Sequence, residues 1–328
     1  MSTLVEAADL RVHFSTGGGA ETVKAVDGVS FAMRGGETFG VIGESGSGKS
    51  TLGRAVVCLL KPTAGTLKLN DADPHALSGA AFRRNRRDFQ IVFQDPNAAL
   101  NPRMRIRDSV REPLDILGEG TRGDRDARAV AVLERVGLSR EFAERYPHEL
   151  SGGQKQRVNI ARILTLRPKL VVCDEVVAAL DVSIQADMLN LFADLQREFG
   201  LTYLFITHDL GVVSHISDRI AVMYLGKFVE LADADDIAER PLHPYTAALL
   251  SAEPVPLPRH LREGERIVLE GEIPRPISPP SGCRFRTRCR FAQGICAAQE
   301  PAWRELEPGR FVACHFAGEV TNKGGNHQ

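Results

Sequence analysis

Apolar positions along this chain fall into two alternating patterns. Thr38–Ile42, Phe89–Phe93, Leu170–Cys173 and Thr202–Ile206 are short runs bounded by polar residues, and they read as strands. Leu170–Cys173 is apolar throughout, as expected where both faces of a strand are covered. Between these runs, Lys49–Leu60, Asp124–Val136 and Ile184–Phe199 carry apolar residues at helical spacing. Arg219–Tyr224 and Phe228–Leu231 flank Gly226 and predict an antiparallel hairpin. Gly17-Gly18-Gly19 marks a turn between the first two strands. Alternation of this kind predicts an α/β fold on a mostly parallel sheet. Past residue 252 the pattern changes. Seven prolines fall between Pro254 and Pro280, among them Pro254, Pro256 and Pro258, so neither a long helix nor a central strand can form there. That segment reads as an extended connector. A small cysteine-rich region, Cys283 to Cys314, follows it.

Composition narrows the class. The 328 residues suffice for about two domains. With 43% hydrophobic and 25% charged residues, the chain is globular, not disordered, collagen-like or coiled-coil. Lys plus Arg is 41 and Asp plus Glu is 42, so no global positive field exists to hold nucleic acid. The basic run Arg83-Arg84-Asn85-Arg86-Arg87 lacks interleaved aromatics and reads as a solvated or partner-facing surface. Apolar stretches such as Ala55–Leu60 are far short of the roughly 20 residues a spanning helix needs. Met1–Leu10 has no basic start and carries Glu6 and Asp9, which argues against a secretory leader. The expectation is a cytosolic chain whose membrane role, if it has one, comes through partners. Cysteines in that compartment are reduced, metal-bound or catalytic.

Gly43-Glu44-Ser45-Gly46-Ser47-Gly48-Lys49-Ser50 matches G-x-x-x-x-G-K-[ST], after a predicted strand and before a predicted helix. Its glycines let consecutive backbone N–H groups turn toward one anion at a helix N-terminus. Lys49 reaches the β- and γ-phosphates, and Ser50, with Thr51 beside it, offers a hydroxyl to Mg²⁺. Asp174 and Glu175 follow the buried run Leu170–Cys173. Asp174 is placed to hold Mg²⁺ and Glu175 to polarise an attacking water. Leu150-Ser151-Gly152-Gly153-Gln154 opens a helix that stops before Pro168. Ser151 is a good N-cap, and the glycines expose donors at the positive helix end, which makes a second anion site.

These motifs, with Gln94 in Val92-Phe93-Gln94-Asp95-Pro96, the loop Ala179-Leu180-Asp181, and His208 in Ile206-Thr207-His208-Asp209, resemble in order and spacing the ATP-binding subunits of ABC transporters. The resemblance implies an ABC-type core: a mostly parallel sheet with an antiparallel β part, and a helical subdomain inserted at roughly 95–165. It implies an ATP-binding domain over 1–252, followed by a connector and cysteine-rich region over 253–328. In that family two such domains face head to tail, each ATP lying between one phosphate loop and the other subunit's LSGGQ helix. By the same resemblance Gln94 coordinates Mg²⁺ and water and senses the transporter. Glu175 is the catalytic base, His208 contacts the γ-phosphate, and Asp181 acts across the dimer.

Ala25-Val26-Asp27-Gly28-Val29-Ser30-Phe31, Asp181-Val182-Ser183-Ile184-Gln185, His243-Pro244-Tyr245-Thr246 and the cysteine tail are similar to the dipeptide and oligopeptide importer subfamily. That likeness implies an ATP-hydrolysing motor at the cytoplasmic face of the inner membrane. Its partners would be two membrane permeases, a second ATP-binding subunit, homologous and either identical or not, and, indirectly, an extracytoplasmic solute-binding protein. Two departures stand out. Val176 and Ala178 occupy positions where the subfamily has Pro and Ser. Val23 and Lys24 stand where many members stack an aromatic on adenine, with Phe14 a distant substitute. The alternatives are a soluble ABC ATPase acting on nucleic acid or ribosomes and an exporter motor. The first usually has paired ATP domains or a long coiled coil, neither of which is present; the subfamily tail argues against the second.

Cys283, Cys289, Cys296 and Cys314 have the spacing C-x5-C-x6-C-x17-C. Four thiolates suit a soft metal. Structural zinc prefers closer pairs, so the spacing favours an iron–sulfur cluster, with zinc, reduced thiols or disulfides as alternatives. The subfamily resemblance implies a [4Fe-4S] cluster in some members. Arg284, Arg286, Arg288 and Arg290 would offset its negative charge. Cys58 and Cys173 read as core residues.

Overall fold

The structure, a computed structural model, describes residues 2–15, 21–178, 181–252 and 267–319. The Gly17-Gly18-Gly19 turn, Ala179-Leu180, and the part of the connector with Pro254, Pro256 and Pro258 lie outside the described residues. The strands are β1 (Thr3–Ser15), β2 (Thr22–Arg34), β3 (Thr38–Ile42), β4 (Ala64–Leu69), β5 (Phe89–Val92), β6 (Leu170–Asp174), β7 (Thr202–Thr207), β8 (Arg219–Tyr224), β9 (Lys227–Asp233), β10 (Arg304–Glu307) and β11 (Arg310–Val312). The helices are α1 (Lys49–Val56), α2 (Gly79–Asp88), α3 (Pro96–Ala99), α4 (Ile106–Leu117), α5 (Arg122–Arg135), α6 (Gly152–Leu164), α7 (Val182–Phe199), α8 (Leu210–Ile216), α9 (Ala234–Glu239), α10 (Pro244–Ala252) and α11 (Gly294–Ala298). Contacts divide the chain into two compact units. One holds Ser2 and the described residues of 34–37 and 74–204; the other holds those of 3–33, 38–73 and 205 onward.

In the first unit, β5 pairs in parallel with β6 from Phe89↔Leu170 to Val92↔Cys173. Every residue of β6 is buried, in keeping with its apolar run. Helices α4, α5 and α6 pack on one another. Their contact is apolar: Ile106, Val110 and Leu114 from α4, Ala129 and Leu133 from α5, and Val158 and Ala161 from α6 are all buried. A capping box between Thr121 and Asp124 starts α5. Arg111, nearly buried on α4, pairs with Asp108, Asp115 and Asp126, so its charge is compensated on three sides. The basic run sits on α2, where Arg87 pairs with Glu119 and donates to the Leu166 carbonyl at 3.2 Å.

The second unit has a three-stranded sheet, order β2-β1-β4, with β1 and β4 antiparallel. It also has strands in the order β10-β11-β9-β8-β3. β3 and β8 are parallel, Phe39↔Arg219 to Ile42↔Val222, while β8 and β9 form the expected hairpin. The pairing is therefore mixed within an α/β architecture. β11 adds antiparallel to β9, so the residues after 266 continue this unit's sheet. Phe285 enters the same core as Ile42, Val222, Tyr224 and Tyr245. Helix α1 stops at Val56, short of the predicted Leu60, and Cys58 turns to φ 57 just ahead of Lys61-Pro62.

Candidate active site

The phosphate loop joins β3 to α1 in the second unit. Gly43 and Gly48 have φ values of 154° and 109°. A Cβ on Gly43 would lie 2.1 Å from the Met223 carbonyl oxygen, and one on Gly48 would lie 2.0 Å from that of Ala25. Backbone conformation and backbone packing thus both demand glycine at these positions. The Gly226 N–H donates to the Ser47 carbonyl at 2.8 Å, tying the loop to the β8–β9 turn. Lys49 is buried, and its Nζ donates to the carbonyls of Gly43 at 2.7 Å and Glu44 at 3.0 Å. That holds the ammonium inside the curve of the loop. Ser47 Oγ is buried without a hydrogen-bond partner among the described residues, a polar atom suited to a ligand. Ser50 and Thr51 lie in the first turn of α1; Ser45 and Gly46 are exposed at the tip of the loop. This cradle of glycine backbone, buried ammonium and orphaned hydroxyl fits a polyphosphate.

The remaining predicted residues have these positions. Asp174 ends β6 and is buried; Glu175 follows with φ 52°, a left-handed conformation that a non-glycine residue adopts at a cost. Val176 and Val177 are buried behind it. Gln94 is exposed between β5 and α3, next to half-exposed Phe93. Ser151 caps α6: its Oγ accepts from Gln154 N–H at 3.3 Å, and Gln154 Oε1 accepts from Ser151 N–H at 3.0 Å. Gly152 is exposed, whereas Gly153 is buried against Ile184. Lys155 donates to Asn97 and Asn159 donates to the Pro96 carbonyl, so the segment after Gln94 is fastened to the LSGGQ helix. Asp181 is exposed at the start of α7. His208 is exposed between β7 and α8, while Asp209 caps α8 by accepting from Val212 N–H at 3.1 Å.

The family models that match are "ABC transporter" over residues 26–178 and "Oligopeptide/dipeptide transporter, C-terminal region" over 229–296. The chain is 52% identical over 316 residues to the putative oligopeptide transport ATP-binding protein YkfD of Bacillus subtilis, covering 95% of each. It is 51% identical over 306 residues to the oligopeptide transport ATP-binding protein OppF of Salmonella typhimurium, covering 91% of this chain and 92% of that one. The chain belongs to the oligopeptide-transport ATP-binding subunits of the ABC transporter family. It is therefore an ATPase of peptide import, and the nucleic-acid alternative is not supported. Among solved structures, a dimeric post-hydrolysis state of the ATP-binding cassette MJ0796 bound to ADP and Pi is similar. Its TM-score is 0.64 at 31% identity, covering 70% of this chain and 99% of that one.

The cysteine tail of this ABC subunit departs from expectation. Cys283, Cys289, Cys296 and Cys314 line one small cavity with His243, Phe285, Phe291 and Phe316. Yet among the described residues no three His, Cys, Asp or Glu side chains come together as a metal-holding group. The donor chemistry fits a soft metal and the geometry does not. Burial pushes the Cys283 thiol up to about 11 and the Cys314 thiol up to about 12, and it raises Cys289 as well. His315 Nε2 is hydrogen-bonded to the Gln299 carbonyl.

The arginines also serve differently from their expected role of offsetting a cluster's charge. Arg288 binds Glu44, Arg284 binds Asp27, Arg286 donates to the Ser281 carbonyl, and Arg290 lies over the Phe291 ring. Pattern reading missed the tie of Arg288 and Tyr245 to the phosphate loop. The available signal was the arginine at every second position from 284 to 290. Cys58 and Cys173 are buried, as expected.

Proposed function

We propose that this subunit is the motor of a peptide importer, one half of a head-to-tail pair of ATP-binding subunits docked under two membrane permeases. A solute-binding protein on the far side delivers the peptide. The observation that carries this reading is a phosphate loop and, in the same chain, a separately capped LSGGQ helix that is exposed at its start, at Ser151 and Gly152. A helix N-terminus open to an anion, with no nucleotide loop of its own, is accounted for when a second subunit supplies the ATP. Among the described residues no helix is long and apolar enough to cross a membrane, which accords with a peripheral place at the cytoplasmic face through the permeases. We propose the same division of the chain, an ATP-binding domain over 1–252 with a helical subdomain at roughly 95–165, then a tail over 253–328.

In this scheme the backbone donors of Gly43–Gly48 and the Lys49 ammonium hold the phosphates. Ser50, Gln94 and Asp174 would hold Mg²⁺, which neutralises phosphate charge when bound. Glu175 takes the proton of the attacking water, and His208 orients the γ-phosphate. Ser151–Gln154 and Asp181 act on the nucleotide of the partner subunit. The γ-phosphate is the differential contact: present, it favours the closed pair; lost, it releases it. Gln94, fastened through its segment to α6, passes that change to the permeases. Replacing Glu175 by Gln keeps the shape and removes the base. MgATP affinity should persist while turnover falls by about 10²-fold or more. Wild-type hydrolysis by Glu175→Gln would remove Glu175 from the role of base.

The tail supports a second, finer proposal on donor chemistry alone: four thiols facing one cavity would hold a [4Fe-4S] cluster, or zinc, if their side chains close in on it.

A further inference from the structure

The seven residues Cys283-Arg284-Phe285-Arg286-Thr287-Arg288-Cys289 reach the phosphate loop at two points. Arg288, with a side chain only 7% exposed, grips both carboxylate oxygens of Glu44, at 2.6 and 3.0 Å. This fork-to-fork pair fixes direction as well as distance. The backbone N–H of Glu44 donates to Tyr245 Oη at 2.9 Å, and Tyr245 packs on Phe285 and Tyr224 with ring centroids 5.3 and 4.8 Å apart. At the other end, Arg284 donates to the Leu225 carbonyl and pairs with Asp27. Leu225-Gly226 is the turn whose N–H holds the Ser47 carbonyl, and Asp27 N–H in turn donates to the Gly226 carbonyl at 2.8 Å. One short segment therefore supports the loop at Glu44 directly and at Ser47 through the hairpin. Cys283 and Cys289, the ends of that segment, both line the thiol cavity.

Glu44 explains why such support matters. A carboxylate carried on a polyphosphate-binding loop repels the ligand unless a cation compensates it. Arg288 supplies that cation and leaves the Lys49 ammonium to the phosphates. We propose that Cys283–Cys289 braces the phosphate loop, with Arg288 and Arg284 as positioning residues, so that the state of the thiol cavity is coupled to nucleotide affinity. Coupling of this kind is reciprocal and typically amounts to about 5–150-fold in affinity. The inference rests on the reading of Gly43–Thr51 as the nucleotide loop.

The test is the affinity of the full-length chain for a fluorescent ATP analogue with Mg²⁺, with the melting midpoint measured in parallel. Arg288→Ala should weaken binding about tenfold or more. The double variant with Glu44→Ala should bind more tightly than Arg288→Ala alone, because the uncompensated carboxylate is gone. Cys289→Ser should weaken binding when Arg288 is present and have no further effect when it is Ala. Arg288→Lys keeps the charge and loses the fork; its affinity should fall between wild type and Arg288→Ala, and it serves if the alanine variant does not fold. A lowered melting midpoint with unchanged affinity, or strictly additive effects of Arg288→Ala with Glu44→Ala and with Cys289→Ser, would overturn the brace. Wild-type affinity in Arg288→Lys would do the same. A Lys49→Ala variant that binds as wild type does would instead strike at the loop reading itself.

Discussion

The most demanding prediction concerns the addition of a single methyl group. At Gly48 the backbone sits at φ 109°, and an added Cβ would meet the Ala25 carbonyl oxygen at 2.0 Å. Forcing alanine into that conformation costs on the order of 1–3 kcal/mol. The clash is with backbone, not with the far end of a flexible side chain, so the loop or β2 must move by about 1 Å. Displacements of that size in a positioned site cost about 10²-fold. Gly46 provides the control. It too has a positive φ, 78°, but nothing among the described residues lies within 4 Å of its Cβ position. Gly46→Ala therefore meets only the conformational cost, up to about 3 kcal/mol at most. We expect Gly48→Ala to abolish measurable MgATP binding at micromolar ligand, and Gly46→Ala to retain binding at reduced affinity. Titration with a fluorescent nucleotide, alongside circular dichroism to confirm folding, measures both. Equal affinities in the two variants, or wild-type affinity in folded Gly48→Ala, would refute the argument from loop packing.

Two further outcomes follow from the tail. Burial acts to raise the Asp27 carboxyl, but Arg284 and His13 outweigh it and hold it below its ordinary value of 3.8. Its stabilising contribution is then complete above that value and lost as pH falls through the lower folded value. The melting-midpoint gap between wild type and Asp27→Asn should therefore shrink below about pH 4, and a gap that does not change with pH would contradict the sign. Protein purified without oxygen should be brown if the four cysteines carry an iron–sulfur cluster, and it should lose the colour on Cys289→Ser; colourless protein with stoichiometric zinc would reject the cluster.

Legibility in the sequence followed how local the physical cause was. The phosphate loop could be read because its glycines recur at a fixed spacing within six residues, although the carbonyls that crowd Gly43 and Gly48 belong to Met223 and Ala25. The capping box from Ser151 to Gln154 closes within four, and both of its hydrogen bonds form as the residue types predict. The buried strand β6 announced itself by an unbroken apolar run. Helix α4 did not, since Pro113 lies inside it and breaks the pattern that marks helices. β10 and β11 are short, and residues 304–307 are exposed, so their sequence carries no alternation to read; β11 is defined by pairing with β9. Helix α1 ends before its apolar run does, because Cys58 takes a left-handed conformation ahead of Pro62.

The tail shows where reading by residue type fails. Four cysteines by type suggest a metal, and four nearby arginines suggest compensation of its charge. In the folded chain the thiols do share a cavity, lined also by Phe285, Phe291 and Phe316, but among the described residues no three of them come together as a metal-holding group. The arginines divide by position: 284 and 288, four apart, turn toward acidic partners in β2 and the phosphate loop, while 286 and 290 stay with their own segment. Glu44 and Arg288 are 244 residues apart, so neither end advertises the other. Their pairing nevertheless makes sense of both. A loop that cradles phosphate has reason to avoid an uncompensated carboxylate, and a tail arginine so little exposed has reason to find an anion. The segment that distinguishes this subfamily is thereby bonded to the loop common to the whole family, and a change in the one has a physical route to the other.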